Sequence, residues 1–225
     1  MSSICKSKMS RLHIQLAPIV AWLIFFASAT CVAAEAPEGP PTCESLKKPI
    51  RYAAPVARIL LLDSAMYAGL VILWPDSFSP RAGSVEQFGQ AWSKRPYMNS
   101  NRYFLQLDDD PWVINGVLHP IYGSEVYMSA RTMGHSGLVA FLYAMGASLT
   151  WEYLVEGWFH RPSAIDLAWT PFAGAVLGEL RFQLVRLLLR SGMHKVPRTI
   201  LVTTLDPLGQ LERLMLGCRL ACARY

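Results

Sequence analysis

Residues 136–159 read SGLVAFLYAMGASLTWEYLVEGWF, and this stretch decides the fold class. Its long apolar run lacks the strict alternation of a half-buried strand. Ser136 is suited to cap a helix because its hydroxyl accepts an orphan backbone N–H group. The sequence therefore predicts a helix from Leu138 to about Phe159 whose only charged residues are Glu152 and Glu156.

The segment before this helix carries its own boundary residues. Asp110 followed by Pro111 is typical of a helix start, since proline loses no hydrogen bond at the first helical position. Pro120 cannot donate to Gly116, so we expect the helix to be interrupted or restarted there. Gly134 is the predicted C-cap of the resumed helix.

The segment after it begins with a variant of the capping box. Ser163 and Asp166 stand three residues apart, which predicts a helix reaching to about Arg190 and bent near Pro171. This start explains Asp166 as a capping residue.

Two further helices are predicted at the ends of the domain. Val56 to Trp74 is nearly all apolar and stops at Pro75, and a last amphipathic helix follows the Asp206-Pro207 pair, from 208 to about 222. The fold class is therefore all-α, a bundle of about five helices.

Composition predicts that this bundle is embedded in a membrane or associated with one. Hydrophobic residues make up 52% of the chain and charged residues only 16%, against about 25% charged residues in soluble proteins. Gly174 and Gly178 form a small-residue step of the kind that lets helices approach closely in membranes, although soluble bundles use such steps as well.

The first 34 residues are typical of a secretion signal. Lys6, Lys8 and Arg11 precede an apolar run and a small-residue cleavage site before Glu35. An uncleaved anchor helix is the alternative. We expect residues 1–34 to be a signal peptide, 35–55 an exposed leader and 56–225 the helical domain, with localisation in the cell envelope, either periplasmic or membrane-associated.

The distribution of charge favours lipid over nucleic acid as a partner. Removing the signal would lower the net charge from +5 to +2, and eight basic residues against two acidic ones follow from Arg181 onward. A basic end on an exported apolar protein is suited to anionic lipid head groups. We expect membrane lipids and no nucleic acid; no feature identifies a protein partner.

The mature chain would keep three cysteines, Cys43, Cys218 and Cys222. In an oxidising compartment Cys43 can bridge to either of the other two, but Cys218 and Cys222 share one helix face and also suit plain core packing. The pairing stays open.

Ionisable residues inside apolar helices are the main functional candidates. Glu152 and Glu156 lie four apart on one predicted helix face, and together with His119 they favour a metal or acid-base site. No Glu-x-x-His pair of the di-iron bundles occurs. The catalytic candidates are His119, Glu125, Glu152, Glu156 and Glu179, and the metal-ligand candidates are His119, Glu152 and Glu156.

The alternative is a structural role for the same groups. Buried salt bridges, for example Arg131 with Glu152 or Arg186 with Glu179, would lock helices together. The predicted structural polar network consists of Asn115, Arg131, Asp166 and Arg186.

A long string of residues between 110 and 181 resembles a bacterial family known only as domain of unknown function 3943, with a family-like core over 108–190. The residues that carry the resemblance are Asp110-Pro111-Trp112, Asn115, His119-Pro120, Gly123-Ser124, Tyr127, Ala130-Arg131, Ser148, Trp151-Glu152-Tyr153, Glu156, Pro162-Ser163, Asp166-Leu167, Thr170-Pro171, Gly174 and Gly178-Glu179. The resemblance implies an envelope protein with a helical domain and no assigned activity.

Two functions therefore stay open. The first is a non-enzymatic, membrane-associated envelope component whose buried charges set helix register. The second is a lipid- or glycan-modifying envelope enzyme that uses Glu152, Glu156 and His119 with a divalent metal or by acid-base chemistry.

Overall fold

The computed structural model describes residues 48–73, 75–79, 82–101, 103–104 and 112–216. The predicted signal, most of the predicted leader, the Asp110-Pro111 cap, the three cysteines and the end of the basic C-terminal segment lie outside these ranges. The predicted all-α fold class is confirmed, with seven helices of ten residues or more and no strand in the described ranges. These helices are α1 Lys48–Leu73, α2 Ser84–Ser93, α3 His119–Thr132, α4 Gly137–Thr150, α5 Ala164–Arg190, α6 Lys195–Leu205 and α7 Pro207–Leu216, and a four-residue helix, Pro75–Phe78, follows α1.

Helix α1 begins at Lys48, so the last residues of the predicted leader are helical. Tertiary contacts explain the earlier start. Arg51 donates from Nε to Met133 O (2.9 Å) and from Nη2 to Gly134 O (3.1 Å), which fixes the first turns of α1 against the end of α3.

The predicted interruption at Pro120 does not break the helix. A π-helical turn, Ile114–Leu118, leads directly into α3, and the His119 N–H donates to Ile114 O, five residues back. The wider turn absorbs the backbone change at the His119-Pro120 pair. At the other end, Gly134 has a φ of 81° as predicted for a C-cap glycine.

Helix α4 continues in the same direction through a π-helical turn, Trp151–Val155, and a short 3₁₀ turn, Glu156–Trp158. Ser136 caps α4 by accepting a hydrogen bond from Val139 N. The helical stretch predicted from the opening sequence is therefore present, but its last two turns are not α-helical.

Helix α5 also has the predicted bounds. Ser163 Oγ accepts from Asp166 N (3.2 Å), and Pro171 lies inside the helix without ending it. Asp206 Oδ1 likewise caps α7 by accepting from Gly209 N (3.1 Å).

Helix α3 lies at the centre of the bundle and runs parallel to α5. A Cβ atom on Gly174 would stand 2.7 Å from Gly123 Cα, and one on Gly178 would stand 2.8 Å from Tyr127 Cδ1. Ordinary side chains do not fit at such an approach, so the close packing predicted from the Gly174-Gly178 step is confirmed. Helices α1 and α4 cover the remaining sides of α3, through Ile59, Tyr122 and Trp151 among others.

Candidate buried carboxylate and histidine site

Three buried side chains from three helical segments meet at the end of the bundle where α3 and α5 begin. One ligand atom from each of His119, Glu152 and Asp166 lies within 4.8 Å of the others. The exposed fractions of these residues are 8%, 0% and 2%. This is the one such group of histidine and acidic side chains in the described part of the chain.

Glu152 reaches this site from the π-helical turn after α4. Its Oε2 accepts the backbone N–H of Ser163 at 2.6 Å, so the carboxylate sits against the N-terminus of α5. The partial positive charge of a helix N-terminus stabilises a carboxylate there.

Asp166 enters the site from the capping box at the start of α5. Ser163 Oγ accepts from Asp166 N as predicted, and the Ser163 N–H donates to Glu152. The Asp166 carboxylate lies near His119, with 3.7 Å between Oδ1 and Nδ1.

His119 is the first residue of α3, and its ring is held by α5. Nδ1 lies 2.8 Å from Thr170 Oγ1, one turn beyond Asp166 on the same helix. Ser148 on α4 donates to the Asp166 main-chain oxygen (2.9 Å), which ties the third helix to the same point.

Asp166 takes the place that we predicted for Glu156. Glu156 is half-buried in the 3₁₀ turn and does not belong to the group. The predicted alignment assumed an α-helix, in which residues four apart share a face. The π-helical turn between Glu152 and Glu156 has hydrogen bonds to the fifth residue, so Glu156 does not hold the position around the helix axis that α-helical spacing assigns to it.

Glu125, another candidate, lies in a separate buried network with two arginines. Arg181 on α5 donates to Glu125 Oε1, and Arg58 on α1 lies 3.8 Å from Oε2. Arg58 Nη1 also donates to the Glu125 main-chain oxygen (3.2 Å), and Arg181 Nε donates to Leu205 O (2.9 Å). The network therefore joins α1, α3, α5 and α6.

Glu179 forms a third network, nearer the surface. Arg131 pairs with it in two hydrogen bonds, Nε to Oε2 (2.8 Å) and Nη2 to Oε1 (3.2 Å). The predicted pairs of Arg131 with Glu152 and Arg186 with Glu179 are therefore wrong. Arg131 does not pair with Glu152 because Arg131 lies at the end of α3, whereas Glu152 lies near the start of that helix.

Glu179 and Tyr127 influence each other's protonation. Burial acts to raise the pKa of Glu179, but hydrogen bonds from Arg131, Gln183 and Tyr127 outweigh it and leave the pKa below its ordinary value. Burial, the hydrogen bond that its hydroxyl donates to Glu179, and the charge of that carboxylate together raise the pKa of Tyr127 to about 12.

Two further members of the predicted polar network, Asn115 and Arg186, lie on the turn before α3 and on α5. Asn115 is fully buried in the π-helical turn before α3. Arg186 is half-buried on α5, four residues past Phe182, whose ring lies 4.5 Å from the Arg131 guanidinium carbon.

Sequence reasoning missed three residues of these networks. Arg58 and Asp63 were visible as charges inside the apolar first helix, and Asp63 accepts a hydrogen bond from the Tyr122 hydroxyl. Arg181 gave no signal, because nothing in the sequence distinguishes it from the other basic residues of the C-terminal third.

The comparisons with known proteins agree with the sequence resemblance. Neither the curated proteins nor the solved structures contain a match to this chain. Residues 104–208 match the model of the family described as Domain of unknown function (DUF3943). The matched residues include His119, Glu152 and Asp166, as well as Glu125 and Glu179.

Proposed function

We propose that this chain is an exported, membrane-embedded component of the cell envelope, in which buried charges fix the register of the helices. The observation that carries this proposal is the distribution of charged and aliphatic side chains in the bundle. Several charged side chains are buried beside the apolar core, and many large aliphatic side chains are exposed on the outer surface.

Helix α1 has buried charged residues next to exposed leucines. Arg58 and Asp63 are 4% and 6% exposed, whereas Leu60 and Leu61 between them are 59% and 66% exposed. Charged groups are costly in hydrocarbon and leucines are favourable there, so this helix is suited to a lipid environment.

Helices α4 and α5 extend the apolar surface. Leu138, Leu142, Met145 and Leu149 form an exposed stripe on α4, and Phe172, Val176, Leu180 and Leu187 form one on α5. Residues Arg51–Leu73 and Gly137–Trp158 are long and apolar enough to cross a membrane, and most of each segment is not buried inside the bundle. A core helix of a soluble protein would be buried, which supports membrane contact.

Exposed aromatic residues add to this support. Trp92, Tyr103, Trp112 and Trp158 are exposed near the bundle end that holds the carboxylate site, and Tyr52 is exposed at the opposite end. Tryptophan and tyrosine are enriched at the two membrane–water interfaces.

The register role rests on the Glu125 network. One buried carboxylate contacts arginines from two other helices, so a shift of either helix by one turn would leave a buried charge without its partner. Buried polar groups of this kind set helix register in some bundles.

The test is membrane extraction of the full chain after expression in a bacterial host. We expect the protein to stay in the membrane pellet after an alkaline carbonate wash and to need detergent for release. N-terminal sequencing of the purified protein should begin at Glu35 if the signal is removed there.

Matched lysine substitutions sharpen this test. Leu61→Lys and Leu142→Lys place a charge on the exposed faces of the two candidate spans and should reduce the membrane-inserted yield, since a central lysine costs about 2.5–3.5 kcal/mol. Val85→Lys on α2 is the control, because Val85 is equally exposed but outside the spans. Release by carbonate, with all three variants as stable as the parent, would show that the protein is not membrane-embedded.

A further inference from the structure

We propose that His119, Glu152 and Asp166 bind a divalent first-row transition-metal ion. This inference concerns a site, and it does not depend on the proposed membrane location. It rests on the convergence of one imidazole and two carboxylates, on their burial, and on the groups that hold each of them in place.

The three ligand atoms lie close together in space. They lie within 4.8 Å of one another and come from separate helical segments. Nitrogen and oxygen ligands of zinc stand about 2.0–2.2 Å from the ion, hence about 3.4 Å from each other. The separations among the three ligand atoms would therefore have to shrink by at most about 1.4 Å for all three to hold one ion.

Hydrogen bonds from neighbouring groups hold the three ligand residues in place. The Ser163 N–H orients Glu152 at 2.6 Å, and Thr170 Oγ1 orients the His119 ring at 2.8 Å. Ser148 fixes the main chain of Asp166. Metal ligands are held by such outer hydrogen bonds, which reduce the cost of ordering the side chains when the ion binds.

The chemistry of the three ligands indicates which ion the site would bind. Two carboxylates that are buried together repel each other when both are ionised, and a divalent cation removes that repulsion. The imidazole nitrogen favours zinc, iron or manganese over calcium, which prefers six or more oxygen ligands. Three protein ligands leave a coordination position for water or another molecule, and access is from the His119 side, the most exposed of the three.

The experiment uses the full chain in detergent. Metal content is measured by inductively coupled plasma mass spectrometry, first as purified and then after treatment with EDTA and reloading with Zn²⁺ or Mn²⁺. We expect about one ion per chain, and a Tm at least about 5 °C higher with the metal at a hundredfold excess over its Kd than with EDTA.

Variants assign the ion to this site. Asp166→Asn and His119→Gln should each lower the bound metal by tenfold or more and remove the difference between the Tm values with metal and with EDTA. Glu156→Gln and Glu179→Gln are matched controls outside the group and should keep both the metal and the Tm difference.

Several results would overturn the proposal. One is a metal-free chain whose Tm does not respond to Zn²⁺ or Mn²⁺. Another is an Asp166→Asn chain that retains the ion, or a Glu156→Gln chain that loses it. If the His119 and Asp166 variants prove too unstable to purify, Thr170→Val is the second variant, because it keeps all three ligands. It should bind metal more weakly and still show a metal-dependent Tm. An unchanged metal affinity would contradict the supporting role assigned to Thr170.

Discussion

The carboxylate of Glu152 accepts the backbone N–H of Ser163 at 2.6 Å, and this one bond joins the end of the α4 segment to the start of α5. Both groups are buried. The same turn of α5 carries Asp166, whose carboxylate lies 3.7 Å from His119 Nδ1, so this bond also positions the turn that completes the buried group.

Removing this carboxylate should therefore be costly. We expect Glu152→Ala to lower the free energy of unfolding by about 3 kcal/mol, because it leaves the Ser163 N–H buried without its acceptor and opens a cavity. Glu156→Ala, four residues away and half-buried, should cost less than about 1 kcal/mol. Denaturation in detergent with EDTA present, followed by circular dichroism, measures both; equal losses would argue against a special role for the Glu152 bond.

The contact between α3 and α5 predicts a second difference. Gly174→Ala should destabilise the protein by about 1–3 kcal/mol, since its Cβ would stand 2.7 Å from backbone atoms of Gly123. Gly146→Ala is the control on α4, where a Cβ meets nothing within 4 Å. That change should stabilise the helix by about 0.5–1 kcal/mol. The Tm values of the two variants should therefore shift in opposite directions. A Gly174→Ala variant with an unchanged Tm would contradict the close packing.

Two glutamates with arginine partners differ mainly in burial. The Glu125 side chain is 2% exposed and that of Glu179 is 35% exposed. Glu125→Gln should cost about 3–5 kcal/mol because Arg58 and Arg181 would keep buried charges without their anion. Glu179→Gln should cost about 0–1 kcal/mol, as expected for a partly solvated pair. Chemical denaturation of both variants tests this, and a larger loss for Glu179→Gln would reverse the assignment.

Alkaline pH should reveal the bond between Tyr127 and Glu179. The pKa of Tyr127 is raised from 10.0 to about 12 in the folded protein. The neutral phenol is therefore favoured by folding: its contribution to stability is complete below pH 10 and is lost as the pH rises toward 12. We expect the free energy of unfolding to fall by roughly 1–2 kcal/mol more across this interval in the parent chain than in Tyr127→Phe.

Absorbance of tyrosinate near 295 nm checks the same prediction directly. The absorbance that appears as the pH approaches 12 in the folded parent chain should be smaller by the equivalent of one tyrosine in Tyr127→Phe. A titration that is identical in the two proteins would show that Tyr127 ionises normally.

Much of the fold was predictable because it depends on local chemistry. Ser136, Ser163 and Asp206 cap the helices that they were expected to start, and Gly134 ends α3 with a positive φ. Each of these signals acts within a few residues of sequence, so it operates whatever surrounds it. Helix α6 lacks a comparably clear signal, and it was not predicted as a separate element.

The site was only partly predictable. His119 and Glu152 were chosen because ionisable residues are rare in apolar helices, and the structure brings them together. Glu156 was chosen by counting residues on an ideal α-helix, and the π-helical turn after Trp151 invalidates that count. Asp166 was predicted as a capping residue and a member of the structural polar network, and not as a ligand.

By itself, the sequence determined the helix class, most helix boundaries, the apolar character of the surface and two of the three residues of the buried site, since all of these follow from spacing and composition. Only the tertiary structure decided that Asp166 completes the site and that Glu125 pairs with Arg58 and Arg181. The physical reason is that these partners lie on different helices, so the packing of the helices and the local change from α-helical to π-helical winding select which side chains meet.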